Sequence, residues 1–288
     1  DFIGSNQTIG GSSVTDFGRL YINSGSTITL AQNVIVSRLV ELSGTLDPTP
    51  SFFMTVGTND INIRSGGELR VKAATYAGNY SAGSANSASN TAVINYASTT
   101  VNQTIDPSET YDILKVSGGM TKNLSANTTI TRDLLIEGGT LDLQTFTANR
   151  SSGGGSLTMA AGTTLRIGGT NTFPSNYSSI LLATTSTVEY KGANQTVQAL
   201  SYGNLILSAT GTATKTMPGA AFTVAGNLTS STSAGTLSYT AANNITVGGN
   251  INIGASTVFT STAFSHSFGG NRSEERRVGK ECRSRWSP

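Results

Sequence analysis

The sequence predicts an all-β protein, and within that class a right-handed parallel β-helix, in which short strands stack coil upon coil. Three observations lead to this prediction: an internal repeat of about 95 residues, short runs of alternating apolar and polar residues, and turn-forming residues every few positions. Tandem β-sandwich repeats are the alternative, because they are also built from short strands. No stretch shows sustained 3.6-residue periodicity over the length of a helix.

The repeat is marked most clearly by Asn-Gln-Thr followed by Ile or Val, at residues 6–9, 102–105 and 194–197. Three further landmarks follow each marker in the same order: an aromatic residue opening an alternating run, a Gly-Thr-Leu motif, and an apolar triplet. They occur at residues 17–22, 111–116 and 202–207, at 44–46, 139–141 and 235–237, and at 61–63, 157–159 and 251–253. Four landmarks in one order predict three copies of one unit, over residues 1–91, 92–186 and 187–271, the last of them truncated.

Strand signals within a unit are short and dense. In the first unit they lie at residues 27–30, 34–36, 39–42, 54–56, 61–63 and 68–71. Gly, Asn, Ser and Pro separate them and supply turn conformations. Gaps this short leave little room for Greek-key crossovers, which favours the β-helix, with four or five coils of roughly 20 to 24 residues per unit.

Two Gly-, Ser- and Asn-rich segments, residues 76–90 and 175–178, fall at matching places late in the first two units. We expect them to loop out from the solenoid. Loops of this kind commonly carry the binding function of a repeat protein.

The composition changes abruptly after Asn271. Residues 272–288 contain six of the 18 basic residues, the only Cys and the only Trp. This stretch resembles the translation of a short-read sequencing adapter, and we interpret it as a disordered, non-native tail. A basic arm for nucleic acid or acidic lipid is the other interpretation.

Without that tail the chain is close to neutral and free of cysteine, which argues against a nucleic-acid groove and excludes disulfides. No apolar run approaches the length of a membrane span, so we expect no membrane insertion. The chain begins without a Met or a signal peptide, and we expect it to be a fragment of a longer protein.

Catalytic chemistry is hard to find in the sequence. β-Helix enzymes need clustered acids, and here the acids are scattered one or two per coil. Asp133 with Glu137, and Asp47 with Asp142 in equivalent coils, are the pairs that could approach one another. A single histidine, His266, excludes a multi-histidine metal site, and we expect it in a turn. The sequence therefore predicts no catalytic, cofactor-binding or metal-binding residues.

Tyrosines near the unit boundaries suggest either of two roles. Tyr96, Tyr111, Tyr190 and Tyr202 could stack on sugars as part of a carbohydrate-binding surface, or they could cover the core of the solenoid. The glycine runs at 153–155 and 248–249 are predicted to be turns, because no Lys follows them at the spacing of a phosphate-binding loop.

A family resemblance rests on residues 187–190, 194–197, 202–208, 215–216 and 224–228. Their pattern resembles repetitive, adhesin-like cell-surface proteins of Bacteroidetes-type bacteria. The resemblance implies a secreted β-helical protein, extracellular or attached to the outer membrane. It implies a structural or adhesive role, with surface glycans or host matrix molecules as partners. A carbohydrate-active β-helix protein, either a polysaccharide lyase or hydrolase or a carbohydrate-binding module, is the alternative.

Overall fold

The computed structural model describes residues 1–57, 60–80, 85–87, 91–261, 263–270 and 272–274. Almost all regular structure in this part of the chain is β-strand, with one turn of 3₁₀-helix at Tyr76–Gly78. None of its helices is both long enough and apolar enough to cross a membrane.

The described residues form thirty-two strands, which follow one another along the chain. The first unit contains β1 (Gln7–Ile9), β2 (Thr15–Ile22), β3 (Thr27–Leu30), β4 (Val34–Leu42), β5 (Thr45–Asp47), β6 (Met54–Val56), β7 (Ile61–Ile63), β8 (Glu68–Val71) and β9 (Ala85–Ser87). The second contains β10 (Val93–Tyr96), β11 (Gln103–Ile105), β12 (Tyr111–Val116), β13 (Thr121–Leu124), β14 (Thr128–Ile136), β15 (Thr140–Asp142), β16 (Ala148–Arg150), β17 (Gly154–Met159), β18 (Thr164–Ile167) and β19 (Tyr177–Leu182). The third contains β20 (Thr187–Tyr190), β21 (Gln195–Thr196), β22 (Ser201–Tyr202), β23 (Asn204–Ala209), β24 (Ala213–Thr216), β25 (Phe222–Val224), β26 (Leu228–Thr232), β27 (Leu237–Thr240), β28 (Ile245–Val247), β29 (Ile251–Ile253), β30 (Thr257–Thr260) and β31 (Ser267–Phe268). The last strand, β32 (Arg272–Glu274), follows the third unit.

The strands form five parallel sheets, which we call A to E. Sheet A contains β2, β4, β6, β7 and β9, and sheet B contains β1, β3, β5, β8, β10, β12, β14, β16, β17 and β19. Sheet C contains β11, β13, β15, β18, β20, β23, β26, β29 and β32, sheet D contains β21, β24, β27 and β30, and sheet E contains β22, β25, β28 and β31. Neighbouring strands lie one coil apart, and the chain makes a solenoid of about 12 turns. The predicted β-helix is confirmed, because a β-sandwich would pair its strands antiparallel.

The core is a continuous column of apolar side chains inside the coils. In sheet B, the register aligns Ile28, Leu46, Leu69, Ile94 and Leu114 on successive coils, and all are essentially fully buried. Alternation along each strand produces this column, since every second residue points inward. Each such side chain contributes roughly 1.5–3 kcal/mol through burial.

Equivalent strands of successive units lie in different sheets. Strands β1, β3, β5 and β8 belong to sheet B, their counterparts β11, β13, β15 and β18 belong to sheet C, and β21, β24, β27 and β30 belong to sheet D. A coil of the third unit passes through sheets C, D and E in turn. One unit is therefore four coils plus one third of a coil, or about 22 residues per coil, and each unit is rotated by one face from the last.

The Gly-Thr-Leu motif occupies a tight corner of the coil. A Cβ on Gly44 would lie 2.4 Å from the carbonyl oxygens of Asn23 and Ser26 in the preceding coil. Gly139, at the same place in the second unit, also has a φ of +69° and would bring its Cβ to 2.4 Å from the Met120 carbonyl. Only glycine allows coils to stack this closely at the corner.

The prediction that residues 76–90 loop out is wrong for the first part of that segment. Tyr76 and Tyr80 are buried, and Asn79 is fully buried between coils. The Asn79 Oδ1 accepts hydrogen bonds from the backbone N–H groups of Lys72 and Ala73. An amide side chain here replaces the strand pairing that the irregular segment lacks. Residues 81–84 and 88–90 of this segment lie outside the described residues.

The second predicted loop, residues 175–178, is also packed at its tyrosine. Tyr177 opens strand β19, is 8% exposed and donates its hydroxyl proton to the Ala148 carbonyl. Ser175 and Asn176 remain exposed.

The first three residues of the predicted tail continue the solenoid. Arg272–Glu274 pair with Ile251–Ile253 in sheet C, so the expectation of a wholly unpaired tail is not met at this point. The open edge of a sheet can pair with almost any extended backbone, whatever its side chains. Residues 275–288 lie outside the described part of the chain.

Candidate functional site

The glutamine of the repeat marker is buried inside the solenoid. Gln103 donates from Nε2 to the carbonyls of Val71 and Ala73 in the preceding coil, and its Oε1 accepts from the Ser98 N–H. Gln195 makes the same kind of contacts one unit later. The marker is therefore a hydrogen-bonded clasp between coils, at corners where strand pairing leaves backbone groups without partners.

A buried lysine lies beside each of these two glutamines. The Lys215 Nζ donates to the Gly192 carbonyl (2.6 Å), the Ala193 carbonyl (3.1 Å) and the Gln195 Oε1 (2.7 Å). Lys122, in the equivalent place, donates to two carbonyls. Burial lowers the pKa of both amines to about 8. They stay mostly protonated at pH 7, so the three ammonium protons of Lys215 meet three oxygens.

The first unit lacks this lysine. Ile28 pairs with Gln7 at the position where Lys122 pairs with Gln103. The buried Oε1 of Gln7 has no hydrogen-bond partner among the described residues. The lysine and the glutamine therefore act together, and the first unit has only half of the clasp.

Two pairs of tyrosines meet inside the coils. The hydroxyls of Tyr96 and Tyr111 lie 2.9 Å apart, and those of Tyr190 and Tyr202 lie 3.1 Å apart. All four side chains are at most 1% exposed, so a sugar-stacking role for them is wrong, and the alternative prediction of core residues holds. Their burial also raises the pKa of each phenol above its ordinary value.

Each tyrosine pair binds the backbone N–H and the carbonyl of one residue. The Tyr96 hydroxyl accepts from the Asp106 N–H at 2.8 Å, and the Tyr111 hydroxyl donates to the Asp106 carbonyl at 2.7 Å. Because Tyr111 has only one proton, the hydroxyl of Tyr96 must donate to Tyr111. The same arrangement recurs around Gln198 in the third unit.

The structure does not bring the predicted acid pairs together. Asp47 ends a strand of sheet B and Asp142 ends a strand of sheet C. Asp142 pairs with Lys191, whereas Asp47 pairs with basic residues of its own sheet. Both aspartates also accept the backbone N–H two residues later, and this bond stabilises the turn.

The other predicted acid pair is likewise divided between separate partners. Asp133 accepts hydrogen bonds from the backbone and side chain of Ser156, while Glu137 pairs with Lys115 at 2.8 Å. Each carboxylate is therefore held by partners of its own, and none of these contacts joins Asp133 to Glu137.

A ladder of charges runs along the outer face of sheet B. Arg70 pairs with Asp47 and Glu68, and Lys115 pairs with Glu68 and Glu137. Burial alone would raise the pKa of Glu68, but hydrogen bonds from Asn95 and Arg70 and the charge of Lys115 together lower it. The partners of Arg70 and Lys115 outweigh burial and raise their pKa values. These groups are held in their charged forms, unlike a general acid or base poised near neutral pH.

His266 is held by two hydrogen bonds. Its Nδ1 accepts from the Ile245 N–H at 3.1 Å, and its Nε2 lies 2.6 Å from the Ser261 hydroxyl. Burial lowers the pKa of His266 below its ordinary value. A neutral ring whose Nδ1 accepts a hydrogen bond carries its proton on Nε2. His266 therefore donates a hydrogen bond to Ser261 and cannot remove its proton. The pair is geometrically close to a catalytic dyad but has the wrong tautomer for one.

Glu109 has a carboxyl group whose pKa lies close to neutrality. Burial raises its pKa to about 7, although the hydrogen bond from the Ala85 N–H at 2.8 Å opposes this shift, and the charges of Asp106 and Asp60 add to it. Sequence reasoning missed this group, because its burial depends on how β9 packs against it. In the described residues, no group of three or more His, Cys, Asp or Glu is arranged to hold a metal ion.

A narrow groove of about 330 Å³ follows the corner between sheets C and D. Its floor consists of Gly and Ala turns from consecutive coils, with Lys191 at the rim. A Cβ on Gly168 would lie 2.0 Å from the Gln144 carbonyl, and one on Gly192 would lie 1.9 Å from the Gly169 carbonyl. The small residues are therefore required by coil stacking, and Lys191 is already paired with Asp142.

Comparisons with protein-family models, with curated proteins and with solved structures find no match to this chain. The geometry described above is therefore the basis of the functional argument.

Proposed function

We propose that this chain is a section of a non-catalytic extracellular scaffold, a rigid stalk or adhesin of the bacterial cell surface. One observation carries the proposal: the polar residues that recur from unit to unit lie inside the rod. Gln103 and Gln195 and Lys122 and Lys215 bind backbone groups of a neighbouring coil, and each tyrosine pair binds the backbone of one residue inside its own coil. Repeated residues that hold the solenoid together from inside are what a rigid stalk needs.

The resemblance to adhesin-like surface proteins of Bacteroidetes-type bacteria supports the same role and location. Surface glycans or host matrix molecules are the proposed partners. We also propose that residues 272–288 derive from an adapter sequence rather than from the natural protein, and the unit-like pattern ending near Asn271 supports this. The gene sequence that flanks this region tests both points: an encoded secretion signal and uninterrupted repeats after residue 271 are expected.

Adhesion and catalysis can be separated with the full chain. Beads coated with the protein are passed under flow over surfaces coated with polysaccharides or matrix proteins, and the same polysaccharides are incubated with the soluble protein while reducing ends and unsaturated products are measured. We expect retention of the beads on at least one surface and no release of product. Time-dependent product release that disappears after heat denaturation would overturn the non-catalytic role, and no retention on any surface would overturn the adhesive one.

A further inference from the structure

An open recess of about 580 Å³ lies on the outer surface of the first unit, within sheet A. It is lined by Arg19, Arg38, Leu39, Asp60 and Asn62, which belong to three consecutive coils. Two guanidinium groups at one recess are unusual in a body that is otherwise close to neutral. The guanidinium of Arg19 makes no hydrogen bond or ion pair with the described residues.

An irregularity in strand pairing brings the two arginines together. Phe17 pairs with Val36 and Arg19 pairs with Leu39, so that Gly18 alone faces two residues, one of which is Arg38. The Cδ of Arg38 lies 4.0 Å from the point where a Cβ on Gly18 would be. The side chain of Arg38 therefore runs back across Gly18 towards Arg19, and a bulge of this kind is a common way to redirect side chains at a site.

The recess belongs to the first unit alone. Asp112 replaces Gly18 in the second unit, where it accepts hydrogen bonds from the Thr131 hydroxyl and the Ala92 N–H. Ile113 stands in the place of Arg19 there, and Asn204 stands in that place in the third unit. The interior clasps recur between units, whereas this arrangement of arginines does not, so coil stacking does not account for it.

We propose that Arg19, with the charge of Arg38 beside it, binds a carboxylate group of an acidic polysaccharide, a chain that contains uronic acid, with Asn62 hydrogen-bonded to a neighbouring sugar hydroxyl. Arginine stays charged at every physiological pH, and its planar fork matches a carboxylate. The recess is open and larger than a single small anion requires. Asp60 disfavours a phosphate dianion more than it disfavours a singly charged carboxylate flanked by hydroxyls. This inference names a ligand for the adhesive role and rests on that role.

Calorimetric titration of the full chain with octagalacturonate tests the proposal, with maltooctaose as the neutral oligomer and sodium phosphate as the simple anion. Arg19→Gln is expected to weaken octagalacturonate binding about tenfold or more, because a hydrogen-bonded charge pair contributes about 1.5–3 kcal/mol. Arg132→Gln is the matched control: Arg132 occupies the place of Arg38 in the second unit, where it pairs with Asp133, and its replacement should change affinity less than twofold.

Four outcomes would overturn the proposal: no binding of octagalacturonate, equal binding of maltooctaose, equal loss in Arg19→Gln and Arg132→Gln, or complete displacement of the oligomer by equimolar phosphate, which would indicate a site for simple anions. Unchanged thermal melting of both variants would exclude misfolding as the cause of lost binding. A chain that fails these titrations but still retains beads on another surface would keep the adhesive scaffold and lose only this ligand.

Discussion

Removing one hydroxyl from the tyrosine pair of the second unit should open the solenoid locally. In Tyr111→Phe, the buried hydroxyl of Tyr96 loses its only acceptor, and the Asp106 carbonyl loses a donor at 2.7 Å. Asp106 is only half-buried and can turn to water, whereas Tyr96 is fully buried. The Tyr96 hydroxyl that is left without an acceptor therefore accounts for most of the expected loss in the free energy of unfolding, about 1–3 kcal/mol.

The order of the variants is the sharper part of this prediction. In Tyr96→Phe, the Tyr111 hydroxyl still donates to the Asp106 carbonyl, and no buried hydroxyl is left without an acceptor. This variant should therefore be destabilised less than Tyr111→Phe. The double variant should lose less free energy of unfolding than the sum of the two single variants, because it has no Tyr96 hydroxyl left without an acceptor. Phe17 occupies this position in the first unit, where it is partly buried and packs against Phe2.

Hydrogen exchange is the appropriate assay, because a solenoid can open coil by coil rather than all at once. The opening free energy of the coils around β10 and β12 is compared with that of the distant third unit, which should not change. Tyr21→Phe is the matched control: its hydroxyl has no described partner, and the change should be close to zero. A Tyr111→Phe loss below about 0.5 kcal/mol, or a larger loss in Tyr96→Phe, would refute the hydrogen-bond assignment.

Three further changes test other parts of the rod. Lys122→Ile, which introduces the residue found in the first unit, should destabilise the second unit by about 1–3 kcal/mol at pH 7, because two carbonyls lose their donor. The pKa of Lys122 falls from 10.5 to about 8 on folding, so the wild type gains stability as the pH rises from 8 to 10.5. The difference in melting temperature between the wild type and Lys122→Ile should therefore grow over that pH range. Glu109 has the opposite pH dependence, because its pKa rises from 4.5 to about 7 on folding. The free energy of unfolding should fall by about 1–2 kcal/mol, after allowance for screening, as the pH rises through that interval. In Glu109→Gln, the melting temperature should depend less on pH over the same interval. Gly192→Ala should raise protease sensitivity at the corner between sheets C and D, because its Cβ would lie 1.9 Å from the Gly169 carbonyl; unchanged cleavage would show that the corner can relax.

The alternation of apolar and polar residues along the strands made the fold predictable. The same alternation also indicated that the tyrosines are buried. Tyr96 shares its strand parity with Ile94, so a strand that buries Ile94 also buries Tyr96. Lys122 has the parity of Leu124, which signals a lysine on the apolar face. The hydrogen bonds that make these burials tolerable join residues that are separated along the chain, such as Tyr96 with Tyr111 and Lys122 with Ser98, and no local pattern specifies them.

The packed segment around Asn79 and the raised pKa of Glu109 were beyond the reach of the sequence for a related reason. Both depend on an irregular coil whose path is set by tertiary contacts rather than by periodicity. A Gly-, Ser- and Asn-rich composition predicts the absence of regular strands, but it does not distinguish a protruding loop from one that an amide side chain pins to the coil below.

The rotation between units constrains how such a rod could use its surface. Because a unit is four and one-third coils long, equivalent outer positions of the three units lie on three different faces. A repeated surface site would return to the same side only after three units, which is about 13 coils or roughly 62 Å at the spacing of parallel strands. A flat partner would therefore meet a different part of each successive unit, and a binding site defined by one unit has no reason to recur in the next. The arginine recess fits that expectation: the interior residues that hold the coils together repeat, and the pair of exterior arginines does not.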